Sequence, residues 1–121
     1  MTLSVGYVTV DCNDVATVAG FWSAALDIPL DPDASPYFGS LNRTGPELPR
    51  FMFLKVPEGK TAKNRMHLDL LVDAEVPRGQ EIARLVDLGA THLADKDEWG
   101  HSWAVLTDPE GNEFCVAAAR S

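Results

Sequence analysis

A histidine and a glutamate stand at the start of two apolar, strand-like segments, where such side chains can bind a metal or move a proton. His67 opens His-Leu-Asp-Leu-Leu-Val, and Glu113 opens Glu-Phe-Cys-Val-Ala after a turn-forming run that begins at Asp108. Because side chains alternate along a strand, Asp69 shares the face of His67 and either orients its imidazole or is a surface carboxylate. Imidazole and carboxylate are ligands of first-row divalent metals. His67 and Glu113 are therefore candidate catalytic residues and candidate metal ligands, although two ligands do not complete a site.

The pattern leaves more than one role open for each of these two residues. His67 can line a cavity without chemistry, act as an acid, a base or a substrate-binding group, or bind a metal. Of these roles, we expect the first. Glu113 can act with His67, or it can serve only to accept a hydrogen bond from a backbone group beside the preceding turn.

Length, charge and cysteine content limit the classes of protein. The 121 residues are 45% hydrophobic and 23% charged, which fits one domain with its own core. A formal net charge of -8 disfavours nucleic acid and anionic membranes as partners, which leaves small molecules or proteins. No apolar run approaches the ~20 residues that span a bilayer, and no signal segment opens the sequence, so we expect a cytoplasmic protein. Cys12 and Cys115 are too few for a disulfide framework, and we expect buried thiols.

Apolar periodicity predicts an alternation of strands and helices that occurs twice. The strands predicted from alternating or β-branched residues are 4–11, 37–41, 50–56, 66–72, 91–94, 102–107 and 113–118, with a further short strand near 28–30. The predicted helices are 15–26, capped by Asn13 or Asp14 and stopped by Pro29, and 79–88, ended by Gly89. A turn is predicted at Gly45-Pro46, and the polar segment 57–64 is predicted to connect the two halves.

The two halves repeat with a period of about 60 residues. Tyr-Val-Thr-Val-Asp, from Tyr7, aligns with His-Leu-Asp-Leu-Leu, from His67, at an offset of 67 − 7 = 60. We therefore expect two similar modules, about 1–60 and 61–121, within a single domain that spans 1–121. The alternative is a ferredoxin-like or other α+β domain whose halves are alike by chance.

Several segments carry a resemblance to a known family. They are Tyr-Val-Thr-Val-Asp-Cys-Asn-Asp, Ala-Gly-Phe-Trp-Ser-Ala-Ala-Leu, Lys-Asn-Arg-Met-His-Leu-Asp-Leu, Leu-Gly-Ala-Thr and Asp-Pro-Glu-Gly-Asn-Glu-Phe-Cys. Over nearly its whole length the chain resembles the glyoxalase-like branch of the vicinal oxygen chelate superfamily, which includes bleomycin resistance proteins and extradiol dioxygenases. The resemblance implies an α+β fold in which two paired β-α-β-β-β modules form a curved mixed sheet around a cavity. It does not imply one reaction.

The resemblance also implies where a metal would bind. Family members that use a metal take ligands from the first and last strands of each module, and these positions are here Tyr7, a residue within 52–54, His67 and Glu113. Only the last two can be ligands, because a neutral phenol binds Zn²⁺ or Mg²⁺ weakly and 52–54 is apolar. We therefore expect no cofactor, with a loosely bound divalent metal as the alternative. Glyoxalase I activity, which needs the full ligand set, is not expected.

Aromatic and polar residues supply a candidate lining for the cavity. Trp99 and Trp103 flank Gly-His-Ser, and either can close over a flat or apolar ligand or pack in the core. Tyr7, Leu54 and Asp69 are the other candidate ligand-binding residues.

The remaining candidates are expected to be structural or solvated. Trp22 falls on the apolar stripe of the first helix, which places it in the core. Three arginines beside loops can meet an anionic substrate, but solvated charges are the rule; they are Arg43, Arg50 and Arg65. Two histidines are expected to be exposed polar residues and not ligands; they are His92 and His101.

Two main classes of function fit these features. We expect a small-molecule-binding protein with an apolar cavity and an incomplete metal site. The alternative is a metal-dependent lyase, isomerase or dioxygenase of the superfamily, so the sequence leaves enzyme status open. A pure interaction domain is a third class. We also expect a homodimer, because chains of this family type commonly complete the cavity with a second copy and C₂ dimers are the usual oligomer.

Overall fold

The structure, a computed structural model, describes residues 2–42 and 49–118. The chain forms two compact units, Met1–Gly59 and Lys60–Ser121, and each unit contains its own sheet. Two features predicted from the sequence lie outside the described residues: the turn at Gly45-Pro46 and the solvated Arg43.

The first unit is a three-stranded sheet with one helix. Its elements are β1 (Tyr7–Cys12), α1 (Val15–Leu26), β2 (Phe38–Ser40) and β3 (Arg50–Lys55). The strand order is β1-β3-β2, with β1 parallel and β2 antiparallel to β3. Near 28–30 the described residues form only an isolated bridge, between Leu30 and Leu41, since Pro29 has no N–H to extend the pairing.

Helix α1 has the bounds predicted from its apolar periodicity. The Asp14 side chain caps it by accepting a hydrogen bond from the Thr17 N–H at 3.2 Å. The apolar stripe is buried, and Trp22, only 4% exposed, meets the Phe21 ring edge-on with centroids 5.2 Å apart. The predicted core position of Trp22 is confirmed. The helix ends before the proline expected to stop it, because Asp27 takes a left-handed conformation with φ 55°.

The second unit is a four-stranded sheet with one helix. Its elements are β4 (Leu68–Val72), α2 (Arg78–Leu88), β5 (Thr91–Glu98), β6 (His101–Thr107) and β7 (Glu113–Ala118). The strand order is β4-β7-β6-β5, with β4 parallel to β7 and the other neighbours antiparallel. In both units the first strand therefore pairs in parallel with the last, so the two units share this pairing. Strand β5 is longer than predicted because its hairpin with β6 continues through a polar segment to Glu98.

Alternation gives the four-stranded sheet two different faces. One face is buried and packs against α2, whose Leu85 is 2% exposed; its strand residues include Ala104, Leu106, Phe114 and Val116. The residues between them on the strands point to the other face, which is where His67 and Glu113 lie.

The predicted α+β class is confirmed. The second unit has the predicted β-α-β-β-β order, whereas the described residues of the first unit form β-α-β-β. Whether two modules enclose a cavity stays a prediction. Over the described ranges, neither helix has the length and apolar character needed to cross a membrane.

Candidate functional site

The face of the four-stranded sheet opposite α2 lines a pocket of about 1130 Å³ that is open to solvent, called the cavity below. Strand register places apolar side chains toward one end of this face, where Leu71 and Trp103 each pair with Ala117. Asp69, which pairs with Cys115, lies at the other end. The polar residues His101 and Ser102 line the cavity next to Trp103. The cavity thus combines an apolar floor with a small group of polar atoms, which is the usual composition of a small-molecule site.

Three polar residues of the cavity form a cluster: His67, Asp69 and Cys115. The imidazole Nε2 of His67 lies 3.2 Å from Oδ1 of Asp69. One ligand atom from each residue, a nitrogen, an oxygen and a sulfur, lies within 4.8 Å of the other two. The side chains of His67 and Asp69 are 40% and 70% exposed, so their contact adds little to stability and both can reach a ligand.

Cys115 is a thiol within this cluster. Burial raises the pKa of Cys115, and the charge of Asp69 and a hydrogen bond to its carboxylate raise the pKa further. The thiol therefore stays protonated and donates to Asp69. Both cysteines are thiols, as predicted, but only Cys12 is buried, and Cys115 is half-buried because its side chain faces the cavity.

Glu113 is held by two partners from the connector before β4. Its Oε1 accepts from Lys60 Nζ at 2.7 Å, and its Oε2 accepts from the backbone N–H of Asn64 at 2.8 Å. Partial burial acts to raise the pKa of Glu113. Hydrogen bonds from Lys60 and from backbone N–H groups, together with the charge of Lys60, act in the opposite direction. These contacts outweigh burial, so the pKa of Glu113 is lowered. A cation bound by Glu113 would have to displace Lys60. The predicted metal role of Glu113 therefore stays a prediction, and its observed contacts anchor the connector.

The turn before Glu113 is organised by a buried carboxylate. Asp108, 2% exposed, accepts hydrogen bonds from the backbone N–H groups of Glu110 and Asn112 at 2.9 and 3.0 Å. It also accepts from the Asn112 side chain at 2.9 Å. Gly111 completes the turn with φ 89°. The Asp-Pro-Glu-Gly-Asn segment thus positions Glu113 at the start of β7.

Two predicted ligand-binding residues lie in the first unit. Tyr7 and Leu54 are 52% and 42% exposed. The register of β1 and β3 places Arg50 opposite Tyr7, and the Arg50 guanidinium pairs with Asp31. Because Arg50 is a cation with a carboxylate partner, it supplies no metal ligand beside Tyr7.

The two tryptophans of the second unit differ in position. Trp103 lines the cavity, whereas Trp99 lies at the β5–β6 turn with φ 52° and is 86% exposed. His101 is exposed, as the sequence predicted, and it also lines the cavity. His92 instead lies against Asp95, with Nε2 and Oδ1 2.9 Å apart.

Sequence reasoning missed three ionisable residues that line the cavity, Lys63, Arg78 and Cys115, and also its apolar floor. Alternation would have placed Cys115 on the face of Glu113, but its apolar neighbours suggested a core residue. Nothing in the local pattern marks Lys63 or Arg78, because connector and helix-start residues reach the cavity only through the tertiary fold.

The fold defines a class of α+β proteins with repeated sheet modules, and comparison with known proteins identifies the family. The family model for the glyoxalase-like domain matches residues 7–117 of this chain. This chain therefore belongs to the glyoxalase-like domain family of the vicinal oxygen chelate superfamily, as its sequence motifs predicted.

Solved structures show the same fold. An enzyme of the glyoxalase/bleomycin resistance protein/dioxygenase family from Burkholderia phytofirmans PsJN matches with TM-score 0.80 and 20% identity, covering 98% of this chain and 100% of its own. A glyoxalase-related enzyme from Fulvimarina pelagi matches with TM-score 0.75 and 19% identity, covering 98% and 89%. A mutant of the fosfomycin resistance protein FosX from Listeria monocytogenes, complexed with Mn(II) and 1S,2S-dihydroxypropylphosphonic acid, matches with TM-score 0.77 and 10% identity, covering 99% and 92%. No match was found among curated proteins.

Proposed function

We propose that this protein binds a small organic molecule in the cavity of its second unit. The observation that carries the proposal is the cavity itself, of about 1130 Å³, with an apolar floor beside a polar cluster. Small-molecule sites commonly have volumes of roughly 300 to 1,000 Å³ and the same division between apolar lining and a few polar groups. The indole of Trp103 offers a large apolar face, and His67 and Asp69 offer polar contacts that fix orientation.

Homodimer formation is part of the proposal. Exposed apolar side chains of the first unit support it, since Val5 is 69% exposed and Tyr7 and Leu54 are also exposed. Tyr7, Leu54 and Trp99 stay predicted ligand-binding residues; Tyr7 and Leu54 are 52% and 42% exposed, and Trp99 is 86% exposed. A cytoplasmic location and the lack of a nucleic-acid partner stay predictions.

Catalysis is the second candidate function, and the cluster of His67, Asp69 and Cys115 favours it. A nitrogen, an oxygen and a sulfur within 4.8 Å of one another inside a cavity can move protons or bind a metal. The test is turnover of catechol with dioxygen and of the methylglyoxal–glutathione hemithioacetal, with and without added Mn²⁺ or Zn²⁺. Turnover that Asp69→Asn abolishes would assign a lyase or dioxygenase activity to this cavity.

Amide chemical-shift mapping tests the binding proposal. Neutral aromatic probes, namely catechol, p-cresol and indole, are titrated into chelator-treated, ¹⁵N-labelled protein. We expect at least one probe to shift the amide signals of Leu71, Trp103, Val105 and Ala117 in a saturable manner. Absence of shifts with every probe, or shifts confined to other strands, would contradict the proposal.

A further inference from the structure

The polar end of the cavity has the composition of a metal site that differs from the pair predicted from the sequence. We propose that His67, Asp69 and Cys115 bind a thiophilic divalent cation of the Zn²⁺ type. The site lies in the cavity of the proposed function, but it does not depend on an organic ligand binding there.

The distances between the three donors fit one small cation. His67 Nε2 and Asp69 Oδ1 are 3.2 Å apart, and Cys115 Sγ lies within 4.8 Å of one ring nitrogen of His67 and one carboxylate oxygen of Asp69. In tetrahedral zinc sites the metal lies about 2.0 to 2.2 Å from nitrogen or oxygen and about 2.3 Å from sulfur, so donors stand roughly 3.3 to 3.8 Å apart. The limit of 4.8 Å exceeds these separations by about 1 Å, so cation binding would draw the donors together.

Neighbouring strands hold the donors in place. Asp69 and Cys115 are register partners on the parallel strands β4 and β7, and His67 immediately precedes β4. Strand β7 is itself paired on its other side with β6, which fixes Val105 opposite Cys115. A donor set on paired strands keeps its spacing better than one on loops.

The donor types select the cation. A thiolate favours Zn²⁺ and similar thiophilic ions over Mg²⁺ or Ca²⁺, which prefer oxygen ligands. Glu113 does not compete for this role, because both of its carboxylate oxygens accept hydrogen bonds from the connector. Three protein donors leave a fourth position open toward the cavity, as in zinc sites that bind water or substrate.

Binding replaces a proton by the cation. Without metal, the Cys115 thiol donates a hydrogen bond to Asp69. On binding, the S–H bond breaks, the proton leaves to solvent, and bonds form from the cation to Sγ, the carboxylate and the imidazole, with no change in oxidation state. About one proton per cation is therefore released into weakly buffered solution.

Cobalt(II) titration of the reduced, chelator-treated full chain tests the site. We expect a thiolate-to-cobalt charge-transfer band in the near ultraviolet that saturates at one cation per chain and disappears when Zn²⁺ is added. Cys115→Ser should remove the band, and Asp69→Asn or His67→Gln should weaken cobalt binding at least about tenfold. Cys12→Ser is the matched thiol control and should keep the band.

Three results would overturn the assignment: no charge-transfer band in the wild type, a band that survives in Cys115→Ser, or a band that Glu113→Gln removes as completely as Cys115→Ser. If Cys115→Ser fails to fold, the role of Cys115 is tested in the wild type by alkylation. Bound Zn²⁺ should slow the reaction of Cys115 with iodoacetamide, measured by peptide mass spectrometry. Equal alkylation rates with and without Zn²⁺ would contradict the site. Probe binding to the cavity is measured in chelator-treated protein and so does not require a bound cation. Failure of the cation proposal therefore leaves the test of probe binding intact, and failure of probe binding leaves the cobalt test intact.

Discussion

At the residue scale, side chains that share one sheet face have different roles. Glu113 is tied to Lys60 and the connector, whereas Asp69 is tied to His67 and Cys115. Alternation along β4 was enough to predict that Asp69 and His67 share a face. The partner of Glu113 could not be predicted, because Lys60 is 53 residues away along the chain and only the tertiary fold brings it close.

Replacing Glu113 by Gln should destabilise the metal-free protein by about 1 kcal/mol at neutral pH, because a charged hydrogen bond and an ion pair are lost. Folding lowers the pKa of Glu113 below its ordinary value of 4.5, so the stabilisation exists above that value and disappears as the pH falls through the folded-state pKa. Urea unfolding of both proteins across this range measures the difference. Glu75→Gln, at an exposed position, is the control and should match the wild type.

A difference between wild type and Glu113→Gln that grows on acidification would contradict this account of Glu113. So would an equal loss of stability in Glu75→Gln, because the effect would then reflect net charge and not the contact with Lys60.

At the element scale, helices were easier to predict than the ends of strands. The bounds of α1 follow from its apolar stripe and from Asp14, both of which are local signals. Strand β5 extends to Glu98 because β6 supplies hydrogen-bonding partners, although the added residues are polar. Pairing with a neighbour, which no local pattern records, therefore decided the length of this strand.

Helix α2 offers a matched pair of glycines. Gly89 ends the helix with φ 125°, a conformation that residues with a Cβ rarely adopt, whereas a Cβ on Gly79 would meet nothing within 4 Å. Gly89→Ala should lower the free energy of unfolding by about 1 to 2 kcal/mol, and Gly79→Ala should leave it unchanged or raise it by up to about 1 kcal/mol. Thermal and urea unfolding compare the two variants. Equal stabilities would show that Gly89 does not require its left-handed conformation.

At the scale of the whole molecule, the internal repeat was the strongest predictor of the fold. The offset of about 60 residues between Tyr7 and His67 predicted two similar modules, whereas the parallel pairing of the first and last strand in each unit is a finding of the structure. The sequence predicted that His67 and Asp69 share a face but did not add Cys115, which comes from the neighbouring strand and has an apolar sequence context. The sequence repeat thus indicates the fold, whereas the residues that meet in the site depend on the register between β4 and β7, which sets Asp69 opposite Cys115.

The homodimer prediction belongs to this scale. Light scattering coupled to size-exclusion chromatography should give twice the 13.2 kDa chain mass at micromolar concentration. Val5 and Leu54 are exposed apolar residues, and burying them against a second copy of the chain is favourable. A mass of 13.2 kDa throughout that range would contradict the prediction.

The affinity of one neutral probe for a pair of matched variants tests the central claim, that the cavity on the four-stranded sheet binds a small molecule. Val105 lies in the cavity floor, whereas Val86 is 42% exposed on α2 and does not line the cavity. With the tightest probe among catechol, p-cresol and indole, calorimetry should show Val105→Asp to weaken binding at least about tenfold, since a carboxylate in the apolar floor must be desolvated. Val86→Asp should bind like the wild type. Equal affinities for the wild type and both variants would contradict the claim.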